Sequence, residues 1–279
     1  MLLFAWAGSV AAGPLRVDKC LASTDAPQIR IRQGSGTIVI KGWEKPEIHF
    51  VWTSSTAFSQ LALDQFPFDG PVERVRFLTE AGESPISSGR AAADLTIEAP
   101  FGSSAEIFNP QGSVLLRSVR GEVFVETAGA SISVMEGAEH LSVRSVTGDI
   151  LLMRTSGRIE ATSMTGRIRV IFPAGLHVMA NTVSSDIMYE GDLQANAEYR
   201  LSSYSGNIEV ACPRSASVEL RAKTVHGRIL TDSRLAQERR HAVSPSRSES
   251  DSFLGTHQAA SATLEVRSFS GTINIRTEK

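Results

Sequence analysis

Ser118-Val119-Arg120-Gly121-Glu122-Val123, Ser145-Val146-Thr147-Gly148-Asp149-Ile150 and Ser163-Met164-Thr165-Gly166-Arg167-Ile168 are three copies of one phrase: Ser/Thr, apolar, any residue, Gly, any residue, Ile/Val. They lie between Gly112 and Phe172, and the phrase then runs on to the C-terminus. It returns at Thr182–Ile187 (with Ser185 in place of Gly), Ser203–Ile208, Thr224–Ile229 and Ser268–Ile273. Self-similarity at a recurring period is the mark of a repeat architecture, in which each unit buries its apolar face only against its neighbours.

Most steps between the phrase glycines are 18 to 27 residues, for example 148 to 166 and 121 to 148. Half-steps of nine occur at Gly112-Ser113-Val114 and at Thr155-Ser156-Gly157-Arg158-Ile159. Nine residues make one strand plus one turn. After each glycine apolar residues alternate with polar ones, as in Ile168, Val170 and Phe172 against Arg167 and Arg169. Period two with β-branched residues means half-buried strands. The expected fold is all-β, a β-solenoid or β-helix-like array of short strands with about 18–27 residues per coil. Val123, Ile150, Ile168, Ile187, Ile208, Ile229 and Ile273 are expected to form one buried stack, with glycine at a corner that a Cβ would obstruct. A second marker is an apolar strand ending in proline, at Pro100, Pro173 and Pro213; proline cannot donate to a ladder and belongs at strand ends.

Working outward, residues 28–279 read as the repeat domain. Gly34-Ser35-Gly36-Thr37-Ile38 already makes a corner. Residues 53–93 are irregular and rich in Phe, which fits a cap over the open end of the array. Residues 234–260 carry no phrase and much Ser and charge, so they read as an inserted mobile loop. Excising 236–258 is then expected to leave the thermal transition nearly unchanged. Residues 13–27 read as a linker. Residues 1–12 resemble the apolar part of a secretory signal peptide with a cleavage site before Gly13, although a positive n-region is missing. That implies export. No stretch approaches the ~20 apolar residues that a spanning helix needs.

Composition narrows the partners. The chain has 28 Lys and Arg against 30 Asp and Glu, a formal net charge of -2, which does not fit a nucleic-acid footprint. Export would permit a disulfide between the two cysteines, Cys20 and Cys212; against it, Cys212 shares the register of Ile208 and Val210 and should face the core. No cofactor is expected, and the six histidines show no metal-ligand spacing.

The phrase hydroxyls Ser118, Ser145, Ser163, Thr182, Ser203, Thr224 and Ser268 would form a ladder that either bonds the backbone at the corners or presents hydroxyls to a sugar. Arg120, Arg158, Arg167, Arg169 and Arg228, with Arg221, fall on outward positions. They form either a surface-binding stripe for anionic groups or solvated mixed charge interleaved with carboxylates. Asp149, Glu160 and Asp186 are the acids to weigh for polysaccharide cleavage, which needs paired carboxyls. Arginines stand near such acids in sequence, Arg144 by Asp149, Arg158 by Glu160 and Arg120 by Glu122, and would neutralise them.

These phrases, the Pro100 and Pro173 turns and the segment Gly36-Thr37-Ile38-Val39-Ile40-Lys41-Gly42-Trp43 resemble the bacterial putative-adhesin family of β-strand-repeat proteins, whose function is unassigned. The resemblance spans residues 28–279 apart from 234–260. It implies a non-catalytic, exported or envelope-associated β-solenoid, an adhesin-like binding module or scaffold with a protein or glycan partner at the periplasm or cell surface. No catalytic residue is implied. The alternative from another class is a polysaccharide-processing β-helix enzyme, a lyase or hydrolase.

Overall fold

The computed structural model describes residues 15–54, 59–81, 92–213, 218–231, 236–238, 251–257 and 262–278. The leader expected at 1–12 lies outside them, as do parts of the expected cap and loop. In chain order the strands are β1 (Leu15–Arg32), β2 (Gly36–Trp43), β3 (Glu47–Ser54), β4 (Ser59–Phe66), β5 (Val72–Ala81) and β6 (Ala93–Pro100). The centre holds β7 (Ser104–Phe108), β8 (Gly112–Val119), β9 (Glu122–Thr127), β10 (Ser131–Gly137), β11 (His140–Ser145), β12 (Ile150–Ser163), β13 (Ile168–Ile171), β14 (Ala174–Thr182), β15 (Ile187–Glu190), β16 (Glu198–Ser203) and β17 (Ile208–Pro213). Then follow β18 (Val218–Thr224), β19 (Ile229–Thr231), β20 (Ala236–Glu238), β21 (Asp251–His257), β22 (Ala262–Ser268) and β23 (Ile273–Glu278).

Each coil contributes two strands, one to each of two parallel sheets. Sheet I runs β6-β2-β8-β10-β12-β13-β15-β17-β23-β19, all parallel. Sheet II runs β5-β1-β7-β9-β11-β12-β14-β16-β22-β18. β12 passes through both sheets. The all-β solenoid expected from the phrase is the fold, and its nine-residue half-step is one strand with its corner.

Inward side chains of the two sheets meet in one core. In sheet I, Ile132, Ile150, Ile168, Ile187, Ile208 and Ile273 stand opposite one another across successive strands, all fully buried. Val123 does not belong to that column. It pairs with Leu141 in sheet II, because the first phrase copy turns from sheet I into sheet II while the other six turn the opposite way. Ile229 does join the column, but on the last strand of sheet I, where it is only partly buried.

Two corner chemistries hold the coils. At the sheet II to sheet I corner, the Ser145 hydroxyl accepts the Gly148 amide at 2.8 Å and Ser163 accepts that of Gly166 at 2.9 Å; Ser203, Thr224 and Ser268 repeat the contact. At the opposite corner, Ser118, Glu136, Arg154 and Phe172 recur every 18 residues with φ between 48° and 58°. Non-glycine residues adopt this left-handed conformation at a cost of about 1–2 kcal/mol each. No Gly or Asn marks these positions, so nothing in the sequence signals the left-handed turn.

Both ends of the array are folded back. The coil β1-β2 lies one place inside the N-terminal end, since the chain goes outward through β3 to β6 before β7 and β8 return. At the other end β22 and β23 insert beneath β18 and β19. Antiparallel strands finish the edges: β3 on β6 and β1 on β3 in sheet I, and β4 on β5 in sheet II. The segment expected as a linker is therefore strand from Leu15 onward, its backbone paired antiparallel with β3 from Leu15 to Ala22. Within the segment expected as a loop, β21 pairs antiparallel with β18 over seven residues and β20 pairs with β21. Its Ser-rich composition hides an edge strand that needs only backbone donors and acceptors.

Candidate functional site

The five arginines do not form one stripe. Arg167 and Arg228 occupy the same outward column of sheet I, at the position before the inward isoleucine, but four strands apart, and Arg169 lies two residues beyond Arg167. Arg158 is on the outer face of sheet II, bonded to Glu160 at 2.7 Å. Arg120 sits at the opposite corner with its guanidinium over the Phe101 ring, 4.6 Å from the centroid.

The acids weighed for catalysis serve other bonds. Asp149 accepts the backbone amide of Arg167 at 2.8 Å, and Asp186 accepts that of Asn207 at 2.8 Å. Asn207 in turn accepts the Thr272 amide at 2.9 Å. Where the residue after the corner is Asp or Asn, at Asp149, Asp186 and Asn207, its side chain thus braces the next coil. Asp149 and Glu160 lie on different sheets. The phrase hydroxyls from Ser145 onward are buried and committed to backbone, so they offer nothing to a sugar; only Ser118 is partly exposed, and it bonds Glu136. No disulfide joins Cys20, which is exposed on β1, and Cys212, which is buried.

Among the described residues no group of three His, Cys, Asp or Glu side chains is placed to hold a metal ion. No described helix is long and apolar enough to cross a membrane. His49 sits between two carboxylates: its Nε2 meets Asp18 at 2.9 Å and its Nδ1 meets Glu98 at 3.3 Å. Those two hydrogen bonds, Asp18 first, raise its pKa above the usual histidine value.

The concave surface lies on the outer face of sheet II, where β1, β7, β9 and β11 run side by side. A depression of about 430 Å³ is bordered by Gln28, Arg30, Ser104, Glu106, Glu122, Phe124, His140 and Ser142. A second, of about 460 Å³, adjoins it across Phe124 and is rimmed by Arg32, Arg76, Phe108 and Glu126. Their depth comes from the side chains in register: the half-buried Phe124 stands between Glu106 and the small Ser142 in one outward column, and the small Ser104 stands beside Gln28 in the next. Arg30 and Glu106 pair at 3.0 Å and Arg74 donates to Gln28 at 3.2 Å, which fixes the polar rim. Arg144 lies 5.8 Å from the Phe124 centroid. The Nε2 atom of His140 is buried with no hydrogen-bond partner among the described residues. A depression beside an aromatic face with polar groups around its rim is the arrangement that ligand sites share.

Sequence reasoning missed this groove. Its residues come from four strands between Gln28 and Ser142, and only the parallel register puts them together. Alternation marks each of them as outward, but nothing marks them as neighbours.

Comparison with functionally characterised proteins gave no match. Among solved structures, matches extend over nearly the whole chain at low identity. One is described as a putative lipid binding protein from Parabacteroides distasonis, at 11% identity and TM-score 0.38, covering 96% of this chain and 98% of that one. A putative adhesin from the same organism gives 8% identity and TM-score 0.32, with 95% and 98% covered. A putative cell adhesion protein from Clostridium sporogenes gives 9% and 0.28, with 95% and 100% covered. The family model of Toastrack DUF4097 matches residues 23–276, almost the whole array with both folded-back ends, and the chain belongs to that family.

Proposed function

We propose that this protein is an exported, non-catalytic binding module of the bacterial cell envelope that docks a glycan along the outer face of sheet II. The observation that carries the reading is the groove around Phe124, with a polar rim of Gln28, Arg30 and Glu106 and the His140 ring in its wall. An aromatic face takes the C–H side of a sugar ring, while Gln28, Arg30 and Glu106 supply planar donors and acceptors for hydroxyls. Cleavage would require two carboxyls facing one bond about 5–9.5 Å apart. Glu106 is engaged by Arg30, which leaves Glu122 as the carboxylate of the first depression that has no ion pair among the described residues. Contact spread along a rigid sheet gives modest affinity per site and gains from repeated ligand units.

The test is binding of the purified protein to a panel of envelope polysaccharides by calorimetry, with reducing-end and unsaturated-sugar release followed in parallel. Phe124→Ala and His140→Ala should each weaken binding about tenfold or more, since both side chains would contact the ligand. Binding unaffected by both variants would place the site elsewhere. Reproducible sugar release lost in Glu122→Gln would replace the binding module with an enzyme.

A further inference from the structure

The phrase holds an apolar residue directly after its Ser/Thr in every copy, yet from the second copy onward that residue does not enter the core. Val146, Met164, Val183, Tyr204 and Phe269 are between 37% and 57% exposed. They stand above one another on successive coils: the Thr165 amide donates to the Val146 carbonyl at 2.9 Å, the Val183 amide to that of Met164 at 3.2 Å, and the Phe269 amide to that of Tyr204 at 3.1 Å. The Tyr204 and Phe269 rings are stacked, 4.7 Å apart and 4° from parallel, and His226 meets Phe269 edge-on at 5.1 Å. The result is a convex apolar ridge along one corner of the solenoid, about 20 Å long at the usual inter-strand spacing.

Its flanks are basic. The half-buried Val225 continues the line, its amide donating to the Phe269 carbonyl at 3.2 Å; Arg144, Arg267 and Lys223 lie two residues before Val146, Phe269 and Val225, on the sheet II side, and Arg167 and Arg228 lie three residues after Met164 and Val225, on the sheet I side. At those same flanking positions the carboxylates are Asp149 and Asp186, both accepting backbone amides. Glu265, one strand position further out, pairs with Arg267. Between the apolar residues and the cations come small hydroxyls: Thr147, Thr165, Ser184, Ser205 and Ser270.

We propose that this corner is a membrane-contacting edge, with the ridge entering the headgroup region of an anionic bilayer and the flanking arginines and lysine meeting lipid phosphates. A single protruding line of apolar side chains has no concave surface to receive a folded partner, whereas a fluid interface closes around it. Apolar insertion together with cationic attraction is the pair of signals that holds a protein on a charged surface. The solenoid axis then lies in the membrane plane. The site is separate from the sheet II groove and stands whether or not that groove binds glycan.

The experiment is sedimentation of the full chain with phosphatidylcholine vesicles, pure or containing roughly one-third phosphatidylglycerol. Binding should require the anionic lipid and fall with salt. Tyr204→Asp with Phe269→Asp should weaken it about tenfold or more, and Lys223→Glu with Arg228→Glu should abolish the preference for phosphatidylglycerol. Phe269→Leu should bind as the parent does. The altered side chains are exposed, so thermal melting confirms that each variant is folded, and all variants share residues 1–12, so differences among them report the ridge alone. No binding to anionic vesicles, or equal binding by the Tyr204→Asp, Phe269→Asp variant, overturns the proposal. So does a change of oligomeric state in that variant without vesicles, since the ridge would then be a contact between copies.

Discussion

The carbonyl oxygen of Gly148 lies 2.0 Å from the point that a Cβ on Gly166 would occupy. Coils at this corner therefore stack backbone on backbone, and the opposing atom is a carbonyl that no side-chain rotation can move. Gly166→Ala should cost about 2–3 kcal/mol, the upper range for overpacking. Gly129→Ala, at a corner where the nearest atom is the Thr147 hydroxyl at 3.3 Å, should stay within about 1 kcal/mol of the parent. Urea unfolding of the two variants side by side checks the difference.

Ile168 is fully buried between Ile150 and Ile187 in the sheet I column. Ile168→Asp puts an uncompensated carboxyl into that column and should cost about 4 kcal/mol or more, whereas Ile168→Val should cost about 1 kcal/mol. A melting temperature for the aspartate variant within a few degrees of the parent would show that the column can open to water.

The cluster of Asp18, His49 and Glu98 ties β1, β3 and β6 together at the N-terminal edge. His49 has a raised pKa, from the hydrogen bonds to Asp18 and then Glu98, so its contribution is complete below the ordinary value of 6.5 and is lost as pH rises through the raised one. Asp18 has a lowered pKa, from Arg16 and then His49, so its contribution is complete above 3.8 and is lost as pH falls through the lowered one. Stability of this edge should be greatest in mildly acidic solution. His49→Gln should flatten the decline on the neutral side, followed as melting temperature against pH. The same slope in parent and variant would mean that the three groups are uncoupled in solution.

β21 covers β18 at the C-terminal edge of sheet II. Removing residues 236–257 should therefore lower the melting temperature and expose the unpaired strand, with concentration-dependent association visible by light scattering. A monomer with an unchanged melting temperature would return this segment to the role of a dispensable loop, which its Ser-rich composition alone suggests.

The coil was legible because it is written locally. Alternation of apolar and polar residues fixes which side chains face inward, and the recurrence of the corner phrase every 18 to 21 residues fixes how they stack, so the Ile150 to Ile208 column can be read without coordinates. Val123 shows the limit of that reading. Its phrase is the same, but a chain that turns twice per coil can place the same phrase at either corner, and only pairing with Leu141 shows which.

The sequence by itself thus determined the strand period, the inward face and the small-residue corners, all set by sterics within a few residues. Tertiary structure alone decided the order of strands at the two ends and the meeting of Gln28, Phe124 and His140 in one groove. It also decided the alignment of Met164, Tyr204 and Phe269 on one edge. Parallel register joins residues separated by whole coils, and the inserted β22 and β23 bring Phe269 against Tyr204 across 65 residues of chain. No local preference encodes such a neighbour; the backbone ladder and the shared core select it.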